Sequence, residues 1–252
     1  MFGWRRWRDN RIIAGSWLDA RRWDVLVRRI PALRRLDADQ LEQLRRMAIL
    51  FLHHKAIHGV GGLALDDQQR AVIAAQACLP VLALGLDWYR HWHSVLVYPD
   101  VFVADHEYMD EFGVMHRENG VHAGESWDEG PVILAWSQIA AGGAAGDGYN
   151  LVIHEFAHKL DSANGVANGM PPLHRGMSRK RWTRTFTAAW DDFRGRLEAG
   201  EQLPIDEYAA EAPEEFFAVL SEAFFEIPDT VRTMYPDVYR QLCEFYRQDP
   251  SG

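Results

Sequence analysis

The stretch Asn150-Leu-Val-Ile-His154-Glu155-Phe-Ala-His158-Lys-Leu-Asp161 constrains this chain more than any other. It carries H-E-x-x-H inside an apolar segment free of Pro and Gly, the context of a buried helix. On a helix, positions i and i+4 share a face one turn apart, so His154 and His158 can present both imidazoles to one metal ion. Glu155 projects beside that face, where a carboxylate can take a proton from an activated water. Asp161, one turn after His158, is placed to accept the distal ring N–H of a liganding histidine and fix its tautomer. Upstream, Asp147-Gly148 supplies a turn and a candidate cap for the helix. With 11 histidines in 252 residues, such a pair can arise by coincidence, so the motif needs a third ligand.

Candidates for that ligand lie in Tyr208-Ala-Ala-Glu211-Ala-Pro213-Glu214-Glu215-Phe216-Phe217-Ala-Val-Leu-Ser-Glu222-Ala-Phe-Phe. Pro213 suits the first turn of a helix, and acids there favour the positive end of its dipole. Four carboxylates compete: Glu211, Glu214, Glu215 and Glu222. Periodicity does not choose between Glu215 and Glu222, which lie on or near one face.

These segments resemble the zinc metallopeptidases of the Mlc titration factor A family and, more distantly, the catalytic domain of anthrax lethal factor. Both groups carry H-E-x-x-H, then a tyrosine, then a glutamate seven residues later before an aromatic-rich pair. Here that pattern is Tyr208 and Glu215-Phe216-Phe217. The likeness continues through Leu79-Pro-Val-Leu-Ala-Leu-Gly-Leu, Val97-Tyr-Pro, Gly130-Pro-Val-Ile-Leu-Ala-Trp and Phe245-Tyr-Arg-Gln-Asp-Pro, in that order. The resemblance implies one Zn2+ per chain held by His154, His158 and Glu215, a gluzincin-like set, with Glu155 as general base and Tyr208 facing the reacting carbonyl. Glu222 and Asp161 are then expected to orient a ligand histidine or neutralise the site. It also implies an aminopeptidase-like activity on a peptide substrate, and sequestration of an Mlc-type transcriptional repressor that links the protein to glucose uptake. A regulator without catalysis is the alternative reading, although it leaves Glu155 without a use. Val219 stands where the lethal-factor pattern has a further glutamate, so that toxin's substrate choice does not transfer.

Composition fits this picture. A 48% hydrophobic content can fill a core across residues 1–252, expected to form a single α+β domain, mainly helical, zincin-like, with a small β-sheet beside the H-E-x-x-H helix. The net charge of −9 argues against nucleic acid as a partner. No run of 18 apolar residues is present, so no membrane partner is expected, and no cleavable signal is recognisable. Cys78 and Cys243 read as free thiols in a reducing, cytoplasmic setting. Residues 1–35 are basic and rich in tryptophan, opening Trp4-Arg5-Arg6-Trp7-Arg8, and read as a flexible cationic end before a helix near 16–29. Asp37 to His58 reads as an amphipathic helix capped by Asp37 or Asp39, with His53, His54 and His58 at its end favouring the dipole rather than a second metal. Helices are also expected at 66–84, interrupted at Pro80, at 179–198, and from Pro228 to Tyr246. Strands are expected at 94–98, 101–103, 121–127 and 130–136, and residues 132–136 are read as an edge strand bordering a cleft. Ala140 to Gly148 reads as a flexible, small-residue connection into the H-E-x-x-H helix that gates access, and Ser162 to Met177 as a loop at the site's rim.

Overall fold

A computed structural model describes residues 2–100, 102–109, 115–122, 124–126, 130–142 and 147–252. Short acidic residues start the early helices. Asp19 caps α2 (Ala20–Arg29) by accepting from Arg22 N. Asp37 and Asp66 form capping boxes with Gln40 and Gln69 at the starts of α3 (Ala38–His54) and α4 (Asp67–Cys78). The α4 helix stops two residues before Pro80, whose ring cannot continue it. The amino-terminal residues differ from the flexible end expected of them: Phe2–Ala14 form a helix, α1. Ile13 is buried in the core, Ile12 packs against it, and Arg46 Nη2 donates to Asn10 Oδ1 at 2.6 Å from α3. Two apolar residues near its end dock this helix although its charged start gives no core pattern, and Trp4 and Trp7 stay exposed.

The main sheet has the order β1-β2-β6-β5. Strands β1 (Ala56–Gly59), β2 (Ser94–Tyr98) and β6 (Val132–Ala135) run parallel, with Ile57 opposite Val95 and Val95 opposite Val132. Strand β5 (Gly124–Ser126) closes one side, antiparallel to β6. A separate hairpin joins β3 (Phe102–Met109) to β4 (Met115–His122). The expected strand at 121–127 is thus divided between β4 and β5, and Val101 and Trp127 lie outside the described residues. The reading of residues 132–136 as an edge is overturned, because β6 is paired on both sides. Pro131 lies just before the ladder, so its missing N–H interrupts nothing, and Val132, Leu134 and Ala135 are fully buried. The edges of this sheet are β1 and β5, and β5 is the one next to β6.

After β6 the chain makes a short helix, α5 (Trp136–Ala141), and then α6 (Leu151–Asp161), which packs against β5, β6 and α4. Lys159 on α6 donates to the Gly130 carbonyl at 3.1 Å. The expected carboxy-terminal helices appear as α7 (Arg179–Glu198), α8 (Pro213–Glu226), α9 (Pro228–Met234) and α10 (Pro236–Tyr246). Proline opens α8, α9 and α10, where its missing N–H costs no helical bond. Two aromatic clusters anchor the helices that matter most. Phe156 of α6 meets Phe51, Tyr89 and Trp92 at ring distances of 5.2–5.8 Å. Phe216 and Phe217 of α8 pack against Phe186, Phe193 and Trp182. Each buried ring contributes roughly 1.5–3 kcal/mol. The fold is therefore α+β, mainly helical, with its small sheet beside the H-E-x-x-H helix. Among the described residues no helix is long and apolar enough to cross a membrane, and both cysteines are free thiols.

One loop ties α6, α7 and α8 together. Asp161 Oδ2 accepts from Asn168 N at 2.8 Å and Gly169 N at 2.6 Å. The Gly169 carbonyl accepts from Trp182 Nε1 at 2.9 Å. Gly169 has φ +77°, and a Cβ there would sit 2.5 Å from the Pro213 carbonyl oxygen. Gly169→Ala is therefore expected to cost about 1–3 kcal/mol and lower the thermal midpoint by several degrees, measured by calorimetry.

Candidate metal centre

Asn150 starts α6. Its side-chain Oδ1 accepts from Ile153 N at 3.1 Å, so the cap is Asn150 and not the Asp147-Gly148 turn, where Asp147 instead accepts from Tyr149 N. The resulting helix sits between the sheet and α8, so His154 and Glu155 are both buried. Facing them is the first turn of α8. Ala212 gives that helix no side-chain cap, so its positive end is left to Glu214 and Glu215.

Three donor groups converge here. His154 Nε2 lies 3.1 Å from His158 Nε2 and 3.1 Å from Glu215 Oε2, and His158 Nε2 lies 3.4 Å from Glu215 Oε2. Two donors held about 2.0–2.1 Å from one tetrahedral ion stand about 3.3–3.4 Å apart, so these spacings are those of a ligand set. Glu215 Oε2 is buried and makes no directed hydrogen bond despite its two imidazole neighbours. All three donor atoms lie within 4.8 Å of one another, close enough to share one ion. Among the described residues this is the group of histidines and acids able to hold a metal ion.

The electrostatics agree. Burial disfavours a charged Glu215, but the two imidazoles reverse this and hold its carboxyl far below the usual range. Burial also disfavours a charged His154, and the carboxylates of Glu222 and Glu215 overcome it, so His154 attracts positive charge. Burial pushes Glu155 up to about 7, against the pull of His154 and His158. Glu155 Oε2 is buried without a hydrogen-bond partner. The nitrogens and oxygen present, with an orphaned carboxylate oxygen beside them, fit a divalent ion with borderline ligand preference.

The two glutamates that periodicity leaves equivalent are separated by the packing. Glu215 approaches the Nε2 side of His154, whereas Glu222 Oε1 meets His154 Nδ1 at 2.7 Å. Glu211 is exposed, and Glu214 stands apart from the cluster. Tyr208 occupies a 3-10 turn (Glu207–Ala210), and its ring centre is 6.1 Å from that of His154. It is 48% exposed, so it stands at the mouth of the site. Burial, then Glu215 and Glu155, push its hydroxyl up to about 12, which keeps it a proton donor at neutral pH. Asp161 is not brought to a ring: its Oδ2 is taken by the backbone of Asn168 and Gly169, and Oδ1 has no partner. That carboxylate, on the last residue of α6, is engaged by the loop that follows, although the charge of His158 still acts on it. Sequence reading missed Asn150, whose place before an apolar helix is a cap signal, and Glu226, one turn beyond Glu222 on the same face. A cavity of about 580 Å³ is bordered by Tyr149, Ile205, Asp206, Glu207 and Val219, of which Glu207 precedes Tyr208 and Val219 follows Glu215 by one turn of α8; none of the three donors lines it.

The profile of the family described as glucose-regulated metallo-peptidase M90 matches residues 4–247. Mlc titration factor A of Escherichia fergusonii is 42% identical over 233 residues, covering 90% of this chain and 86% of that protein. The protein of the same name from Enterobacter sp. (strain 638) is 39% identical, covering 97% of this chain and 91% of its own length. That of Salmonella arizonae is 40% identical, with 97% and 96% covered.

Elemental analysis of the purified chain should find one divalent metal ion per molecule. Removing a donor by Glu215→Ala or His158→Ala should weaken that binding more than about 100-fold, since even outer partners of such sites change affinity 10–100-fold.

Proposed function

The chain belongs to the glucose-regulated metallo-peptidase family M90, and on that premise we propose that it is a zinc-dependent, aminopeptidase-like peptidase of the cytoplasm. The observation that carries this reading is the convergence of His154, His158 and Glu215 beside the buried, unpartnered Oε2 of Glu155. In it, His154, His158 and Glu215 hold the zinc ion. When bound, the ion supplies Lewis acidity, polarising water and the scissile carbonyl.

The remaining chemistry belongs to the chain. Glu155, held near neutrality by burial, receives at Oε2 the proton of the attacking water and passes it to the departing amine nitrogen. A carboxylate at its ordinary pKa would hold that proton too weakly to deliver it, and one buried without imidazole neighbours would not release its own. Glu222 accepts from Nδ1 of His154, which leaves the Nε2 lone pair facing the site. The Tyr208 hydroxyl donates to the carbonyl oxygen as charge builds there. Strand β5, at the sheet's edge and packed against α6, offers backbone groups with which an extended peptide can pair. The acidic border of the neighbouring cavity, with Asp147, Asp206 and Glu207, supports recognition of a free α-ammonium group.

A second role is favoured by the name the relatives carry. Through titration of an Mlc-type transcriptional repressor, this chain would regulate glucose uptake by binding, with or without cleavage. The two roles are separable because partner binding has no need of Glu155.

Glu155→Gln is expected to keep its metal and lose about 10²–10⁴-fold in kcat on a library of short peptides. Tyr208→Phe should lose about 10²–10³-fold in kcat with a smaller change in KM. Full turnover by metal-replete Glu155→Gln would sink the mechanism. Acetylating the peptides' amino termini should abolish cleavage, and internal cutting of the blocked peptides would exclude the aminopeptidase form.

A further inference from the structure

Behind His154 lies a buried polar relay that runs from α6 to the far end of α8. Glu222 bridges the two helices: Oε1 meets His154 Nδ1 at 2.7 Å, and Oε2 accepts from the backbone N–H of Asn150 at 2.5 Å. The Asn150 side chain works in both directions. Its Oδ1 accepts from Ile153 N at 3.1 Å, and its Nδ2 donates to Glu226 Oε1 at 2.8 Å. Asn150, Glu222 and Glu226 are each 98–99% buried. The guanidinium of Arg35 holds the end of α8 from outside, donating to the carbonyls of Phe225 at 2.9 Å and Glu226 at 3.0 Å.

We propose that Asn150 is a positioning residue of the metal centre: through Glu222 and Glu226 it locks α6 to α8 at the height where His154 Nε2 faces the donors of His158 and Glu215. The inference rests on reading that cluster as a metal site. Capping alone does not account for an asparagine here, because Asp, Ser and Asn cap helices about equally well. The amide carries its acceptor and its donor on separate atoms, so it accepts from Ile153 N–H and donates to the Glu226 carboxylate at once, whereas an aspartate has no donor and a serine offers a single short hydroxyl. An aspartate would keep the cap while turning an acceptor toward Glu226. Two carboxylates at that distance must share a proton or move apart. If they move apart, the backbone N–H that anchors Glu222 moves with the helix start, and His154 loses its orientation. Glu226 Oε2 has no hydrogen-bond partner, so the Asn150 amide at Oε1 has no substitute on that side chain.

The test is a zinc titration of the full chain against a chromophoric chelator, on wild type, Asn150→Asp, Glu226→Gln and the double variant. Asn150→Asp should bind zinc about 10–100-fold more weakly with an unchanged far-ultraviolet dichroism spectrum. Glu226→Gln retains an acceptor for Asn150 and should bind as wild type does. The double variant restores one donor and one acceptor in reversed order and should return to within about threefold of wild type. Asn150→Ser, which caps the helix without adding charge, should also weaken binding about tenfold and serves where Asn150→Asp fails to fold. Wild-type affinity in Asn150→Asp or Asn150→Ser, or a double variant no better than Asn150→Asp alone, would overturn the proposal. A wild-type chain that takes up no zinc would remove the metal centre itself, and this inference with it.

Discussion

The constraint on which this structure depends is the burial of ionisable groups between two helices. From α6 come His154, Glu155 and His158, and from α8 come Glu215, Glu222 and Glu226. An isolated buried charge costs several kcal/mol even after relaxation. The helices can therefore pack only if these groups answer one another. Four carboxylates against two imidazoles leave an excess of negative potential, and the chain handles it in two ways. Burial pushes Glu155 and Glu226 up to about 7, so that neither need carry a full charge. The rest is gathered around the point where three donors converge, and a divalent cation bound there would neutralise what the imidazoles cannot. A metal ion at this point would in that sense answer a packing problem as well as a chemical one.

That economy shapes what was legible in the sequence. The H-E-x-x-H helix could be read directly, because its spacing, apolar setting and freedom from Pro and Gly are all local. The sequence did not distinguish Glu215 from Glu222 by periodicity, since both fall on nearly one face of α8. Only the resemblance to a known family separated them. In the structure they differ by which nitrogen of His154 each one meets, a distinction set by the height of α8 against α6 and invisible to either helix alone. Asp161 shows the same limit from the other side. One turn after His158 is the right distance for a ring contact, but the backbone N–H groups of Asn168 and Gly169 compete for the carboxylate and take it.

The sheet was legible in its strands and not in its order. Residues 132–135 carry the apolar signature of a buried strand, whereas the edge reading rests on the use an edge strand beside the H-E-x-x-H helix has in pairing with a peptide, to which Pro131 adds little. A proline just before a strand removes no ladder bond, so it says nothing about pairing on either side. Which strand stands at the edge depends on β5, whose three residues Gly124–Ser126 carry no strong pattern. The helix at the amino terminus escaped notice for a related reason: Ile12 and Ile13 are enough to dock it on α3, but too few to give a periodic signal.

What fixes the donors is the clamping of α8 at both ends. At its start, Gly169 allows the loop held by Asp161 to press directly on the Pro213 carbonyl, and any side chain at residue 169 would push that helix start away. At its end, Arg35 grips the last carbonyls while Asn150 holds Glu226. Glu215 and Glu222 lie between these clamps, one on each side of the His154 ring. A helix fixed at one end alone could rock about that point, and the spacing of 3.1 Å between His154 and Glu215 would change with every such motion. With both ends held, the rings of Phe216 and Phe217 need only keep the helix from rotating about its axis. Loops far from the cluster in sequence thereby set the geometry of the donors, and a substitution at either clamp reaches the site by moving a helix rather than by touching an ion.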